Sequence, residues 1–243
     1  MERTIGLIIS LLLIFNISQA QTTYKEKIYD CFVNDKMNEW KKIIDKIEKI
    51  EKKSNSLRLE LINYQYGYIG WCLGNNKEDI AEDYLDLALK NIEKLEDLNY
   101  KLPMINAYKS AFWGFKIGLA FYKAPFLGPE SIKFAEKSVE LDPQNYFGYI
   151  QLGNIEYYMP ATFGGSKTLA IEYYLKAQKI LEEDTEAIKN DWNYLSLLIT
   201  IGQAYTGMEN YSMAKKYYEK VLKIEPDFDW VKNELLTELN KKN

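Results

Sequence analysis

The sequence predicts an all-α solenoid, in which about five antiparallel helix pairs stack side by side and a short helix caps the C-terminal end. Two observations support this fold class. Residues 195–228 place apolar, small and helix-ending residues at the spacing of a helical hairpin of about 34 residues. The same pattern recurs four times upstream with falling fidelity, and its apolar residues follow three and four residue steps, as on the buried face of an amphipathic helix.

The copy at 195–228 is the clearest and defines the expected packing. Gly202 lies on its first helix and Ala214 on its second, and such small residues allow neighbouring helices to approach closely. Asn210 is a good N-cap for the second helix, and Pro226 ends that helix because proline has no amide donor. The remaining signature positions are Leu198, Ile201, Tyr205, Tyr218 and Val221.

The predicted repeat domain covers residues 21–243, but its array is irregular. The expected units are 24–52, 62–95, 111–145, 146–182 and 195–228, followed by a polar capping helix at 228–240. The equivalent glycines Gly70, Gly118, Gly153 and Gly202 are 48, 35 and 49 residues apart, against a usual period of about 34. Longer helices or larger turns must absorb the extra residues, and we expect them at 96–103 and 181–193.

These motifs resemble the tetratricopeptide repeat (TPR) family over most of residues 24–228. The resemblance implies a right-handed superhelix of helix pairs that binds proteins or peptides, usually without catalysis. Segments 126–131, 141–143 and 158–165 look like those of exported bacterial TPR proteins of unassigned function. The element Pro160-x-x-Phe163-Gly164-Gly165 is also similar to one in the periplasmic T-components of TRAP transporters, whose helical arrays enclose a ligand pore.

The N-terminus predicts an export signal at residues 1–20. Arg3 is followed by the almost wholly apolar segment 5–15, and Ser18-Gln19-Ala20 is a small-x-small cleavage site, so we expect cleavage between Ala20 and Gln21. The alternative is a membrane anchor, but about 11 apolar residues fall short of the roughly 20 that span a bilayer. The mature protein is expected to be soluble, exported to the periplasm or secreted, without stable membrane insertion.

Composition excludes several kinds of active site. The chain has no histidine, which removes the common catalytic triads and histidine zinc sites, and its two cysteines are too few for a four-thiolate metal site. It has 31 Lys and Arg against 35 Asp and Glu, a net charge of −4 with the two signs interleaved, so no basic face for nucleic acid is indicated. We predict no catalytic residue, metal, cofactor or nucleic-acid partner, and therefore a protein that is not an enzyme.

Cys31 and Cys72 are predicted to be buried free thiols. They fall at equivalent places on the first helices of neighbouring hairpins, where backbones are about 10 Å apart. A disulfide needs Cα atoms within about 7 Å. A bridge is the alternative, since an oxidising compartment permits one.

Partner-binding residues are predicted on the first helix of each pair, which lines the concave side of such an array. Amides beside tyrosines suit a peptide backbone or a modest apolar ligand. The predicted partner is a protein or peptide, and the alternative is a small-molecule or apolar-ligand carrier with a closed helical superhelix. The predicted groove residues are Asn154, Tyr157, Tyr158, Ser196, Ile199, Gln203, Phe115 and Tyr122.

The glycine-rich turn at 160–168 is the most distinctive local feature. It is not a phosphate-binding loop, because that motif needs glycine directly before the lysine, where this chain has Ser166. We favour a structural role, in which Pro160 stops one helix, the glycines turn the chain and Ser166 caps the next helix. The weaker alternative is an anion-binding turn, in which free amides of Gly164, Gly165 and Ser166, with Lys167 nearby, hold an anion or a carboxylate terminus.

Overall fold

The computed structural model describes residues 24–242, so the predicted signal peptide and its cleavage site lie outside the described residues. Within this range the chain forms helices and no strands, as predicted for an all-α repeat fold. The helices are α1 (24–33), α2 (Met37–Glu48), α3 (Asn55–Gly74), α4 (Glu78–Glu96), α5 (Leu102–Leu119), α6 (Ala124–Leu141), α7 (Tyr146–Tyr158), α8 (Lys167–Glu182), α9 (Trp192–Gly207), α10 (Tyr211–Ile224) and α11 (Leu236–Lys242), with short 3-10 turns at Phe121–Lys123 and Ala161–Phe163 and a π-helical turn at Trp230–Leu235.

The helices pack in consecutive pairs, and each pair packs on the next. α3 pairs with α4, α5 with α6, α7 with α8, and α9 with α10, while the π-helical turn and α11 cover α10. The first helices α3, α5 and α7 also contact one another, so they form an inner layer and their partners an outer layer. No helix among residues 24–242 is long and apolar enough to cross a membrane.

Long helices absorb much of the extra sequence. The four helices α3 to α6 have 20, 19, 18 and 18 residues, whereas α7 to α10 have 13 to 16. The expected break at 96–103 lies between Glu96 and Leu102, where Asn99 and Lys101 both take φ near 51°. The second long interval is different, because α8 ends at Glu182 and a segment of turns leads to α9 at Trp192.

Close helix contacts occur where the signature predicts them. A Cβ added to Gly202 would lie 2.5 Å from Cε1 of Tyr218, and one added to Gly153 would lie 2.4 Å from Cε1 of Tyr174. Ala214 is completely buried. In these two pairs an aromatic ring of the outer helix therefore packs directly against the backbone of the inner helix.

Aromatic side chains join the two ends of the array. Trp192, at the start of α9, packs against Trp40 of α2 with ring centroids 5.2 Å apart, and against Phe32 of α1 at 5.8 Å. Phe32 also meets Phe228, which follows α10, at 5.4 Å. The first and last helix pairs thus contact each other, and the superhelix is closed.

Hydrogen bonds support this closure. The Tyr29 hydroxyl donates to Oε1 of Glu225 over 2.6 Å. Asn63 of α3 accepts a hydrogen bond from the Trp192 indole at 2.9 Å and donates one to the Tyr108 hydroxyl of α5 at 2.9 Å. One amide side chain therefore ties three inner helices together beneath the aromatic contact.

Cys31 and Cys72 are both buried and unbridged, as predicted. Burial raises the pKa of the Cys31 thiol to about 11. A thiol with so high a pKa is unreactive at neutral pH, because the thiolate is the nucleophile.

Candidate binding site on the concave face

Polar and aromatic side chains of α3, α5 and α7 meet around Tyr66 on the inner layer. The Tyr66 ring stacks on Phe115 of α5, with centroids 5.3 Å apart and planes 17° apart. Its hydroxyl lies beside the side-chain amides of Gln151 and Asn154 on α7. Burial raises the pKa of Tyr66 to about 12, a rise that the two amides oppose. We call Tyr66, Phe115, Gln151, Asn154, Tyr158 and Tyr174 the concave cluster.

Asn154 connects the cluster to the outer layer. Its Oδ1 accepts a hydrogen bond from the Tyr174 hydroxyl at 2.9 Å, and its Nδ2 donates to Oε1 of Gln151 at 3.2 Å. Tyr174 is the residue that packs against Gly153, so its hydroxyl is held in place by the helix contact. These bonds fix the orientation of both amides.

Gln151 is a buried amide on α7. Its side chain is 2% exposed, and its Nε2 makes no hydrogen bond of good geometry. A buried donor left without a partner costs about 1–3 kcal/mol. The Tyr66 hydroxyl, which lies beside this amide, is a group that can accept from it.

Tyr158 is the member of the cluster that is most exposed to solvent. It is the last residue of α7, it is 77% exposed, and its ring meets the edge of Tyr157 at 5.1 Å. Four other aromatic side chains, in the turns and helix starts that follow α5 and α7, are 74% to 78% exposed. Because both turns join an inner helix to an outer one, they lie along the same edge of the array. We call Tyr158 and these four residues the aromatic rim: Phe121, Tyr122, Phe126 and Phe163.

The structure brings several of the predicted groove residues together. Phe115, Asn154 and Tyr158 belong to the concave cluster. Tyr157 contacts the Tyr158 ring, and Tyr122 lies on the aromatic rim, beyond the end of α5. Helices α5 and α7 therefore supply the candidate surface.

The predicted residues of α9 lie apart from this cluster. Ser196 is half-buried, and Ile199 is only 2% exposed and belongs to the hydrophobic core. Gln203 is exposed, but it lines a shallow depression with Tyr218 and Leu235 next to the C-terminal helices. The start of α9 closes the superhelix instead.

Sequence reasoning missed Tyr66 and Gln151. Tyr66 sits at a signature position that predicts core packing, and it gave no sign of a role at the surface. Gln151 did carry a signal, since it interrupts an apolar run between Ile150 and Leu152. Glutamine is uncommon at buried positions unless its amide is satisfied.

The glycine-rich turn takes the structural role that we favoured. Gly164 has φ 101°, a conformation that glycine adopts without strain. A Cβ on Gly165 would lie 1.9 Å from the carbonyl oxygen of Met159, so only glycine fits there. The Ser166 hydroxyl caps α8 by accepting from the Leu169 amide at 3.3 Å.

The groups predicted for an anion have partners within the chain. The Ser166 amide donates to Oε2 of Glu156 at 3.0 Å, so a carboxylate of α7 occupies the N-terminus of α8. The Lys167 ammonium donates to the carbonyl of Gly207 at 2.8 Å. The turn thereby fixes α7, α8 and α9 relative to one another.

Fold and site together define a closed, all-helical repeat protein with an inner layer of first helices. The family model of the tetratricopeptide repeat matches residues 196–228, which confirms the resemblance to TPR proteins in that window. No curated protein sequence matches the chain.

Two solved structures are similar to this chain. The HusA haemophore from Porphyromonas gingivalis is 17% identical with a TM-score of 0.60, and the match covers 76% of this chain and 94% of that one. BtubC (BKLC) from P. vanneervenii is 12% identical with a TM-score of 0.41, covering 80% of this chain and 74% of that one. The likeness to HusA is one of fold.

Proposed function

We propose that this protein is an exported, non-enzymatic TPR scaffold that binds a protein or peptide partner in the bacterial cell envelope. The observation that carries this proposal is the concave cluster, where the side-chain amides of Gln151 and Asn154 lie beside the Tyr66 hydroxyl and near an exposed Tyr158. Hydrogen-bond donors next to aromatic rings suit a peptide backbone with apolar side chains. Export rests on the signal peptide predicted at residues 1–20.

The closed superhelix restricts the occupant. Trp192 contacts Trp40, and the Tyr66 ring lies 5.1 Å from that of Phe147 and 6.3 Å from that of Trp192, so aromatic side chains of facing helices pack together on the inner face. We therefore expect little room there for a long partner helix. A short extended segment or a loop, entering beside Tyr158, fits the inner face better.

Capture from the native envelope tests this proposal. The wild-type protein and a Tyr158→Ala variant are crosslinked in the bacterium that makes them, and the bound molecules are identified by mass spectrometry. Tyr158 is 77% exposed, so the variant should fold normally. Leu98→Ala, at a 61% exposed residue after α4, is the matched control.

We expect one protein partner to be captured by the wild type and the Leu98 variant, and lost with Tyr158→Ala. Recovery of a defined lipid or metabolite without protein would contradict the scaffold. The mass of the purified protein tests export separately, since a mature chain should begin at Gln21. A full-length mass in the envelope fraction would count against cleavage.

A second candidate is a carrier of a flat apolar molecule, and the aromatic rim is the observation that favours it. Five aromatic side chains more than 70% exposed offer stacking surfaces to such a ligand. HusA, which shares the fold, is named as a haemophore. Titration with protoporphyrin IX tests this candidate. A saturable shift of the porphyrin absorption band that is lost in Tyr122→Ala and Phe163→Ala would support it, and an unchanged spectrum would reject it.

A further inference from the structure

We infer that the aromatic rim docks this protein on the surface of a bilayer that contains anionic lipids. This inference goes beyond the proposed function, which concerns the concave cluster and a protein partner. Three observations support it: the exposure of the rim side chains, the basic sequence around them, and the way in which each ring projects from the surface.

The rim gathers the most exposed large apolar side chains of residues 24–242. Its five members are 74% to 78% exposed, whereas Leu98, the next in order, is 61% exposed and lies at the opposite edge, where α4 leads to α5. The two turns that carry the rim follow α5 and α7, which are inner helices in contact with each other. Exposed apolar side chains gathered in this way mark a surface for a protein or a membrane.

The sequence around the rim has no acidic residue. Residues 98–129 and 157–171 contain no Asp or Glu, although the whole chain has 35 of them and a net charge of −4. Along the same edge, the turns after α3 and α9 do carry acids, namely Glu78 and Glu209. The carboxylate of Glu156 accepts a hydrogen bond from a backbone amide of the glycine-rich turn. The acid-free sequence is therefore confined to the part of the edge that carries the rim.

Two lysines give this part of the edge a positive charge. Lys123 and Lys167 lie in or next to the two turns, and both are exposed. The Lys123 ammonium lies 5.9 Å from the centre of the Tyr122 ring, and the Lys167 ammonium donates to the carbonyl of Gly207 at 2.8 Å. Because the ring and the carbonyl are uncharged, they do not cancel the lysine charges. Apolar rings and positive charge thus coincide on a chain whose net charge is negative.

The projection of the rings favours a bilayer over a compact ligand. A pocket for a small molecule buries most of the ligand between its walls, but each rim ring leaves more than 70% of its own surface to solvent. A bilayer surrounds a projecting side chain and needs no walls. Tyrosine rings settle among the headgroups, phenylalanine rings enter the boundary of the acyl chains, and lysines attract anionic lipids. Lysine is also depleted at protein interfaces, which favours lipid over a protein partner here.

Sedimentation with vesicles tests this inference. The chain from residue 21 is used, because it contains every helix that the structure describes and leaves out the apolar segment 5–15, which would itself bind lipid. One set of vesicles holds equal parts of phosphatidylglycerol and phosphatidylcholine, and the other holds phosphatidylcholine alone. We expect about 10-fold tighter binding to the anionic vesicles, because each lysine near such a surface contributes up to about 5-fold. Added salt should weaken that preference.

Substitutions then locate the contact. Phe121→Ser combined with Phe126→Ser removes two of the five rings and should weaken binding to anionic vesicles by roughly 10-fold or more. Lys123→Gln should weaken binding to the anionic vesicles by about 5-fold and leave binding to the neutral ones unchanged. Leu98→Ser is the matched control at the opposite edge and should bind as the wild type does. All four side chains are exposed, so circular dichroism should show the same fold in every variant.

Wild-type protein that stays in the supernatant with both kinds of vesicle would overturn the inference, and this measurement needs no variant. Equal binding to the two kinds of vesicle, or equal weakening by the phenylalanine pair and by Leu98→Ser, would also overturn it. A wild type that binds no vesicle, but takes up protoporphyrin IX or an envelope protein through Phe121 and Phe126, would assign the rim to that partner and reject the membrane.

Discussion

Replacing Gly202 by alanine should destabilise the protein, whereas the same change at Gly70 should stabilise it. Both glycines occupy the signature position of an inner helix. A Cβ at Gly202 would lie 2.5 Å from Cε1 and 2.8 Å from Cδ1 of Tyr218, whose side chain is 2% exposed. A Cβ at Gly70 would have as its nearest neighbour Cζ of Phe115 at 3.7 Å, an ordinary contact.

Two free-energy terms decide the sign of each change. Alanine in place of glycine inside a helix stabilises by about 0.5–1 kcal/mol. Overpacking a close contact costs about 1–3 kcal/mol. Gly70→Ala should therefore raise the free energy of unfolding by about 0.5–1 kcal/mol, because only the first term applies. Gly202→Ala loses between zero and about 2.5 kcal/mol, and the two variants differ by the overpacking cost.

Urea unfolding of the chain from residue 21, followed by far-UV circular dichroism, measures these changes. The slope of the unfolding free energy against urea must stay the same in all three proteins for the midpoints to be compared. Equal stabilisation by Gly70→Ala and Gly202→Ala would refute the close contact between Gly202 and Tyr218.

Three other perturbations test the closure at Trp192, the hydrogen-bonded carboxylate of Glu182 and the buried thiol of Cys31. Trp192→Ala should cost about 3–5 kcal/mol and increase the radius of gyration in X-ray scattering, because it removes the contacts with Trp40 and Phe32. Glu182→Gln should reduce stability at neutral pH but not in acid. Burial alone would raise the pKa of Glu182, but hydrogen bonds from Lys220, Tyr194 and Gln178 outweigh it and hold the pKa below its ordinary 4.5. The stabilisation is therefore complete above about pH 4.5 and is lost as the pH falls through the lower folded pKa. Cys31 should resist a thiol reagent at pH 8 in the folded protein and react after unfolding, because burial raises its pKa to about 11.

Each of these outcomes has a control or a contrary result. Trp113→Ala removes a half-buried tryptophan outside the closure and should leave the radius of gyration unchanged. If Trp192→Ala also leaves the radius of gyration unchanged, the first and last helix pairs stay together without the Trp192 contacts. A stability difference between wild type and Glu182→Gln that stays constant from pH 3 to pH 7 would reject the role of that carboxylate. Rapid modification of both cysteines in the folded protein would show that they are not buried.

Local spacing predicted the hairpins well, because each contact within a hairpin links residues close in sequence. Asn210 caps α10 by accepting from the Met213 amide at 3.2 Å, and Gly202 packs on Tyr218. The closure could not be predicted in this way. It joins Trp192 to Trp40, and whether these residues meet depends on the rotation accumulated over all the intervening helices.

Only part of the candidate site could be predicted from local spacing. Asn154 and Tyr158 were predicted from their place on an inner helix, and the structure puts both beside Tyr66. Tyr66 and Gln151 were not predicted, because their spacing is that of core residues and only the convergence of α3 and α7 brings their polar groups together. The anion-binding alternative at the glycine-rich turn could not be tested from the sequence either. The chain turns back after α7, and this brings the carboxylate of Glu156 to the Ser166 amide ten residues later.

Site-specific photo-crosslinking tests the central claim most directly, namely that the partner binds on the concave face. A photoreactive phenylalanine analogue is placed at Tyr158 in one protein and at Lys179, an exposed residue of the outer helix α8, in another. Irradiation of cells that make each protein should give a crosslinked partner from position 158 and none from position 179. The same partner crosslinked from position 179 alone would show that the outer face binds it.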